Sequence, residues 1–168
     1  MSDLRRGMAR MVGIGAAVLT VCVFAITAVA SQDEPFPVPD STHKCPVCGM
    51  VVHRYPDFLA SVTYADGHTV YFDGAKDMFK YLFDLDRYDP NRRVEQIRRI
   101  RVTEYYDMVP MDAREAFYVV GSDVFGPMGH ELIPLRTQAD AREFKNDHHG
   151  RRILTFQQVK PATISRLD

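Results

Sequence analysis

The chain is expected to fold as an α+β protein made of two small ββαβ units, an internal duplication, behind an N-terminal export or anchor segment. Three observations predict this. Residues 11–30 are apolar apart from two threonines, and Arg5, Arg6 and Arg10 precede them. Two later stretches each run strand, strand, helix, strand, one reaching Tyr105 and the other Val159, with little residue identity between them. The total of 168 residues is enough for one domain or two very small ones. The expected divisions are 1–30 (signal peptide or anchor), 31–42 (linker), 43–107 (first unit), 108–160 (second unit) and 161–168 (tail).

The N-terminal segment has a positive start, an apolar stretch and Ala28-Val29-Ala30, which reads as a small-residue cleavage site. Its apolar length also suits an uncleaved anchor with the arginines inside. Either reading places residues 31–168 outside the cytoplasm, in the periplasm, held at the inner membrane if the segment stays uncleaved. Residues 31–42 carry three prolines and three acidic residues and read as an extended linker.

In the first unit, β-branched and aromatic residues flank Asp66-Gly67, a hairpin signal joining 59–64 to 69–72. Asp73 reads as an N-cap. Ala75, Met78, Phe79, Leu82 and Phe83 then recur at helical spacing to about Asp86. Residues 97–105 alternate and read as a returning strand. In the second unit, 116–120 reads as a strand, 121–129 as a loop and 130–135 as an edge strand, because Pro134 cannot donate to a ladder. Thr137 and Asp140 suit a capping box for a helix to about Asn146, and 153–159 reads as the last strand. Residues 160–168 read as a loose tail.

Lysine plus arginine number 21 against 22 acidic residues, a formal charge of -1. The basic run at 92–101 lacks interleaved aromatics, so it reads as a solvated face and no nucleic-acid partner is expected.

Chemistry concentrates in Cys45-Pro46-Val47-Cys48-Gly49-Met50. The only other cysteine, Cys22, lies in the apolar segment and reads as filler. The two thiols and a thioether form a soft donor set that selects Cu(I), Zn or iron–sulfur over hard cations. Four readings compete. A structural zinc knuckle needs four ligands, and only His43 and His53 lie near to complete it. A thiol–disulfide redox pair would be expected to follow a strand and open a helix, whereas a proline-rich linker precedes this one. A plain disulfide staple leaves Met50 unexplained. A Cu(I) site would be completed from the second unit by Met128, in Gly126-Pro127-Met128-Gly129, and by His130 beside it. Copper is the preferred reading. Met78 reads as core, Met108 and Met111 as marginal metal candidates, His68 as exposed, and His148-His149 as a solvated helix end.

An export segment, a short linker, CPVCGM, a strand ending Tyr71-Phe72-Asp73, the run Tyr118-Val119-Val120-Gly121-Ser122 and Gly126-Pro127-Met128-Gly129 together resemble the nitrous oxide reductase accessory family, NosL. The resemblance covers about 43–159. It implies a monomeric, non-enzymatic copper-binding protein outside the cytoplasm that holds Cu(I) and helps build the copper centres of nitrous oxide reductase, alongside its maturation machinery. It carries a ligand role onto Cys48, Met50 and Met128, with Cys45 matching the first cysteine. His130 is added from proximity alone. The chain departs from the family in having no clear lipoprotein cysteine. The first unit also looks like a YHS/TRASH-type zinc-binding motif, except that Asp73 stands where that type has a further cysteine.

Overall fold

The structure is a computed structural model and describes residues 38–168. The export or anchor segment and the linker up to residue 37 lie outside the described residues. Strands β1 (Ala60–Tyr64) and β2 (Thr69–Phe72) form the expected hairpin, paired from Ala60↔Phe72 to Thr63↔Thr69. Gly67 turns it at φ +87, and Asp66 Oδ1 accepts the His68 N–H at 3.0 Å. Helix α1 (Ala75–Phe83) and the short α2 (Leu85–Tyr88) follow. Strand β3 (Ile97–Thr103) then returns along the other side of β1, and β4 (Pro110–Asp112) adds an edge, giving the antiparallel order β2-β1-β3-β4.

The second half repeats the plan with β5 (Phe117–Gly126), β6 (Gly129–Leu135), α3 (Gln138–Asp147) and β7 (Arg152–Thr155) in the order β6-β5-β7. In each half the first strand is central. Its hairpin partner lies on one side and the strand after the helix on the other. The α+β class and the doubled ββαβ plan read from the sequence are therefore those of the structure.

Side-chain alternation fixes the layers, since neighbouring residues of a strand face opposite sides of its sheet. Tyr118, Val120 and Leu132 point into a core shared with Met78 and Phe79 of α1 and with Val62, Phe72 and Val102 of the first sheet. Val119, Ile133 and Leu135 point the other way, onto Ala141 and Phe144 of α3. Helix α1 is thus enclosed between the sheets. Phe79 packs edge-on to Tyr118 with centroids 5.3 Å apart and tilted against Phe156 at 5.0 Å.

Five local expectations are revised. Asp73 is not the N-cap of α1; Gly74 holds that place. Residues 121–129 are not a loop, because β5 runs on to Gly126 and only Pro127-Met128 turn, with Gly129 at φ +86. The last strand stops at Thr155, where a 3-10 turn (Phe156–Gln158) brings Phe156 onto Phe79. The C-terminal residues are not loose: α4 (Pro161–Ile164) buries Ile164 and Leu167. Phe83, assigned to the buried face of α1, is exposed. The capping box of α3 is as expected. Thr137 Oγ1 accepts the Asp140 N–H at 3.1 Å, and Asp140 Oδ2 accepts the Thr137 N–H at 3.2 Å.

Candidate metal centre

Residues 43–52 form a tight knuckle. The Val52 N–H donates to the His43 carbonyl at 3.1 Å, the Cys45 N–H to the Met50 carbonyl at 2.9 Å and the Gly49 N–H to the Cys45 carbonyl at 2.9 Å. Gly49 sits at φ +79, where a side chain would be strained. The knuckle holds two free thiols, Cys45 buried and Cys48 half-buried.

Two carboxylates meet them from the β2–α1 junction. Asp73 lies just ahead of the Gly74 N-cap and Asp77 in the first turn of α1, and both carboxylates reach the thiols. The Cys48 thiol donates to Asp73 Oδ1 at 3.1 Å, and the Cys45 thiol to Asp77 Oδ2 at 3.4 Å. One donor atom from each of the four residues lies within 4.8 Å of the others. Cys45, Asp73 and Asp77 are only 1%, 1% and 3% exposed. Asp73 Oδ2 is buried without a hydrogen-bond partner. An unmet buried polar atom is costly, and a cation is one way to satisfy it.

Burial pushes the Cys45 thiol far above its ordinary value, and the charges of Asp77 and Asp73 add to this. Burial also pushes Cys48 up to about 12, helped by its hydrogen bonds to Asp73 and Asp77. Both sulfurs therefore carry protons at neutral pH until a metal displaces them. A redox nucleophile needs the opposite, a thiol of lowered pKa, so this environment argues against the redox reading. The donor set mixes soft sulfur with hard oxygen and suits either Cu(I) or zinc.

Of the residues singled out in the sequence, Cys45 and Cys48 come together in this cluster. Met50 is half-buried and closes the knuckle through its carbonyl. Met128 lies exposed at the β5–β6 turn, and its carbonyl accepts from the Lys76 Nζ of α1 at 2.9 Å. This tethers the turn to the helix that carries Asp77. His130 is outside the cluster. It is exposed, its ring tilts against Phe125 at 4.8 Å, and it lines a cavity with Arg151. His43 packs edge-on to Tyr71 at 4.9 Å, and His53 is exposed. Met78 and Met111 are core, whereas Met108 is exposed. His148 stacks on Phe144 at 4.3 Å.

Sequence reasoning missed Asp73 and Asp77 as site residues. A short acid ahead of a helix looks the same whether it caps the helix or reaches away from it. The usable signal was Asp73 standing where the TRASH-type motif has a ligating cysteine, with a second acid four residues later.

The family model NosL matches residues 36–164. The copper-binding lipoprotein NosL of Stutzerimonas stutzeri is 26% identical over 160 residues, covering 91% of this chain and 83% of its own length. The crystal structure of the copper chaperone NosL from Shewanella denitrificans is similar with a TM-score of 0.63 at 25% identity, covering 79% of this chain and 99% of that one.

Proposed function

The chain belongs to the NosL family, and from that premise we propose that it is a monomeric, extracytoplasmic Cu(I) metallochaperone that supplies a copper enzyme such as nitrous oxide reductase. It is not an enzyme. The observation that carries this reading is the pair of free thiols held with two buried carboxylates within 4.8 Å, one carboxylate oxygen lacking a partner. The relatives described as a copper-binding lipoprotein and a copper chaperone support the choice of metal and role.

In this reading Cu(I) is cargo. Cys45 and Cys48 supply thiolates, which bind strongly. Met50 and Met128 supply neutral thioethers, which favour Cu(I) and exchange readily. Each thiol already points at a carboxylate, so Asp73 and Asp77 stand where they can relay to solvent the protons that loading displaces. Met128 sits at an exposed turn, where its thioether is open to an incoming partner. The apolar segment at 11–30 directs the chain out of the cytoplasm, and it holds the chain at the membrane if left uncleaved.

The carboxylates favour one second reading, a zinc site of two cysteines and two aspartates. Titration of the reduced Ser31–Asp168 unit under anaerobic conditions, with Cu(I) against a chromogenic chelator and with zinc in parallel, separates the two. One tightly bound Cu(I), with zinc much weaker, is expected. Cys48→Ser should lower Cu(I) affinity roughly 100-fold or more and Met128→Ala by less, in line with what loss of a ligand or its support does to metal sites. Unchanged Cu(I) affinity in Cys48→Ser removes that residue from the site, and tighter zinc than Cu(I) overturns the copper reading.

A further inference from the structure

A cluster of cations lies apart from the thiols. Two adjoining cavities, of about 180 and 470 Å³, share Arg151 and Arg152 in their walls. Arg166 and His130 line the first, and Arg142 and Lys145 line the second. Among the described residues, no carboxylate pairs with Arg142, Lys145, Arg151, Arg152 or Arg166. In a chain of formal charge -1 this is a strong local excess of positive charge.

The cleft is shaped by its sequence. Gly121 sits at φ +74, and a Cβ there would come within 2.9 Å of the Arg151 stem, so glycine makes room for that side chain. Helix α3 sorts its charges. Arg142 and Lys145, three apart, face the cleft, whereas Asp140, Glu143 and Asp147 lie on the side where their charges act on Tyr106. Among the described residues, strand β7, which carries Arg152, pairs only with β5 and has no strand on its other edge.

The cleft also adjoins the copper-bearing end of α1. Leu167 lines the first cavity, and Lys76 Nζ donates both to its carbonyl at 3.2 Å and to that of Met128 at 2.9 Å. A partner seated in the cleft therefore lies beside the turn that presents Met128.

We propose that this Arg151/Arg152 cleft docks an acidic, extended segment of the protein that exchanges copper with this chain. The partner's role rests on the copper reading above, whereas the acidic chemistry rests on the cleft alone. An extended chain fits two joined cavities and an open strand edge better than one small anion does. An anionic bilayer fits less well, because Arg151, Arg152 and Arg166 line a cavity that an extended chain can enter and a planar surface cannot. Rim charges of this kind steer and orient a partner more than they add raw affinity.

The test is titration of the copper-free, reduced full-length chain in a non-ionic detergent with poly-glutamate. The probe should bind, and binding should weaken steeply as salt screens the charges. Arg151→Glu with Arg152→Glu should lose roughly tenfold or more, as reversal of close charge pairs does. Arg151→Lys with Arg152→Lys should retain binding. Arg142→Glu with Lys145→Glu, at an exposed and a half-buried position of α3, gives an independent reversal if the first pair perturbs folding. Cu(I) affinity should be unchanged in all of them. Absence of binding, or binding indifferent to both reversals, overturns the proposal. So does competition in which inorganic phosphate or a soluble short-chain phosphatidylglycerol outbinds poly-glutamate, because the cleft would then serve a small anion or a membrane. The titration contains no copper, so its failure leaves the metal site standing, and failure of the metal site leaves the cleft standing.

Discussion

The Cys48 thiol donates to Asp73 Oδ1 across 3.1 Å, while Oδ2 of the same carboxylate is buried and unpartnered. The knuckle and the β2–α1 junction are thereby joined at one charged group. That group can accept a proton from sulfur or ligate a hard cation, and these roles are separable. Asp73→Asn keeps an oxygen to accept the thiol proton but removes the charge. It should lower zinc affinity roughly tenfold or more while changing Cu(I) affinity less, because carboxylate oxygen contributes little to a soft ion. Parallel titrations of both metals check this. An equal loss for both would make Asp73 a ligand for copper as well.

Copper loading should be strongly pH-dependent. Cys48 is pushed up to about 12 and Cys45 higher still, chiefly by burial. Each thiol that ligates must release a proton, so affinity rises about tenfold per pH unit for each one. A log-affinity plot between pH 6 and 9 should have a slope near two if both cysteines bind, and a slope near one would leave Cys45 protonated. The metal-free protein behaves oppositely. A thiol pKa raised on folding contributes stability that is present below the ordinary thiol value of about 8.5 and lost as pH rises through about 12. Alkaline melting should therefore be shallower in Cys48→Ser than in the parent.

Glu131 of β6 reaches into the junction that carries the site. Its Oε1 accepts the Lys76 N–H at 2.6 Å and the Leu132 N–H at 2.8 Å. Burial pushes its pKa up to about 8, with Lys76 opposing the shift and Asp77 adding to it. A carboxyl raised on folding stabilises most below its ordinary value of about 4.3, and that stability is lost as pH rises through about 8. Glu131→Gln should therefore raise Tm at pH 9 relative to the parent, with a smaller difference at pH 5. The same carboxylate fills the space beside Gly74, where a Cβ would land on Oε2. Gly74→Ala should cost about 1–3 kcal/mol by overpacking, measured by denaturant unfolding. A neutral result would mean that Glu131 moves aside freely.

Much of this was legible in the residues. Asp66-Gly67 between β-branched runs marked the first hairpin, and the face of Met78 and Phe79 marked the enclosed helix. The capping box of Thr137 and Asp140 marked the start of α3. These signals are local, and local propensity survived folding. The misreadings arose where the deciding contact was distant in sequence. Residues 161–168 look polar and unpatterned, yet Ile164 and Leu167 find the core and the Leu167 carbonyl receives Lys76. Gly126-Pro127-Met128-Gly129 looks like a loop, yet its flanks are strand because β6 pairs back onto β5.

By itself the sequence determined that two thiols, soft donors, share a knuckle and that two ββαβ units follow one another. Spacing and periodicity are properties of neighbouring residues. Only the tertiary structure decided that Asp73 and Asp77 would meet those thiols and that His130 would face Arg151 rather than the cysteines. It also decided that Lys76 would bind the Met128 turn and the C-terminus to the same helix. The hydrogen bonds among those relationships join residues 25 to 91 positions apart. They depend on how two sheets close around α1, which no single segment encodes.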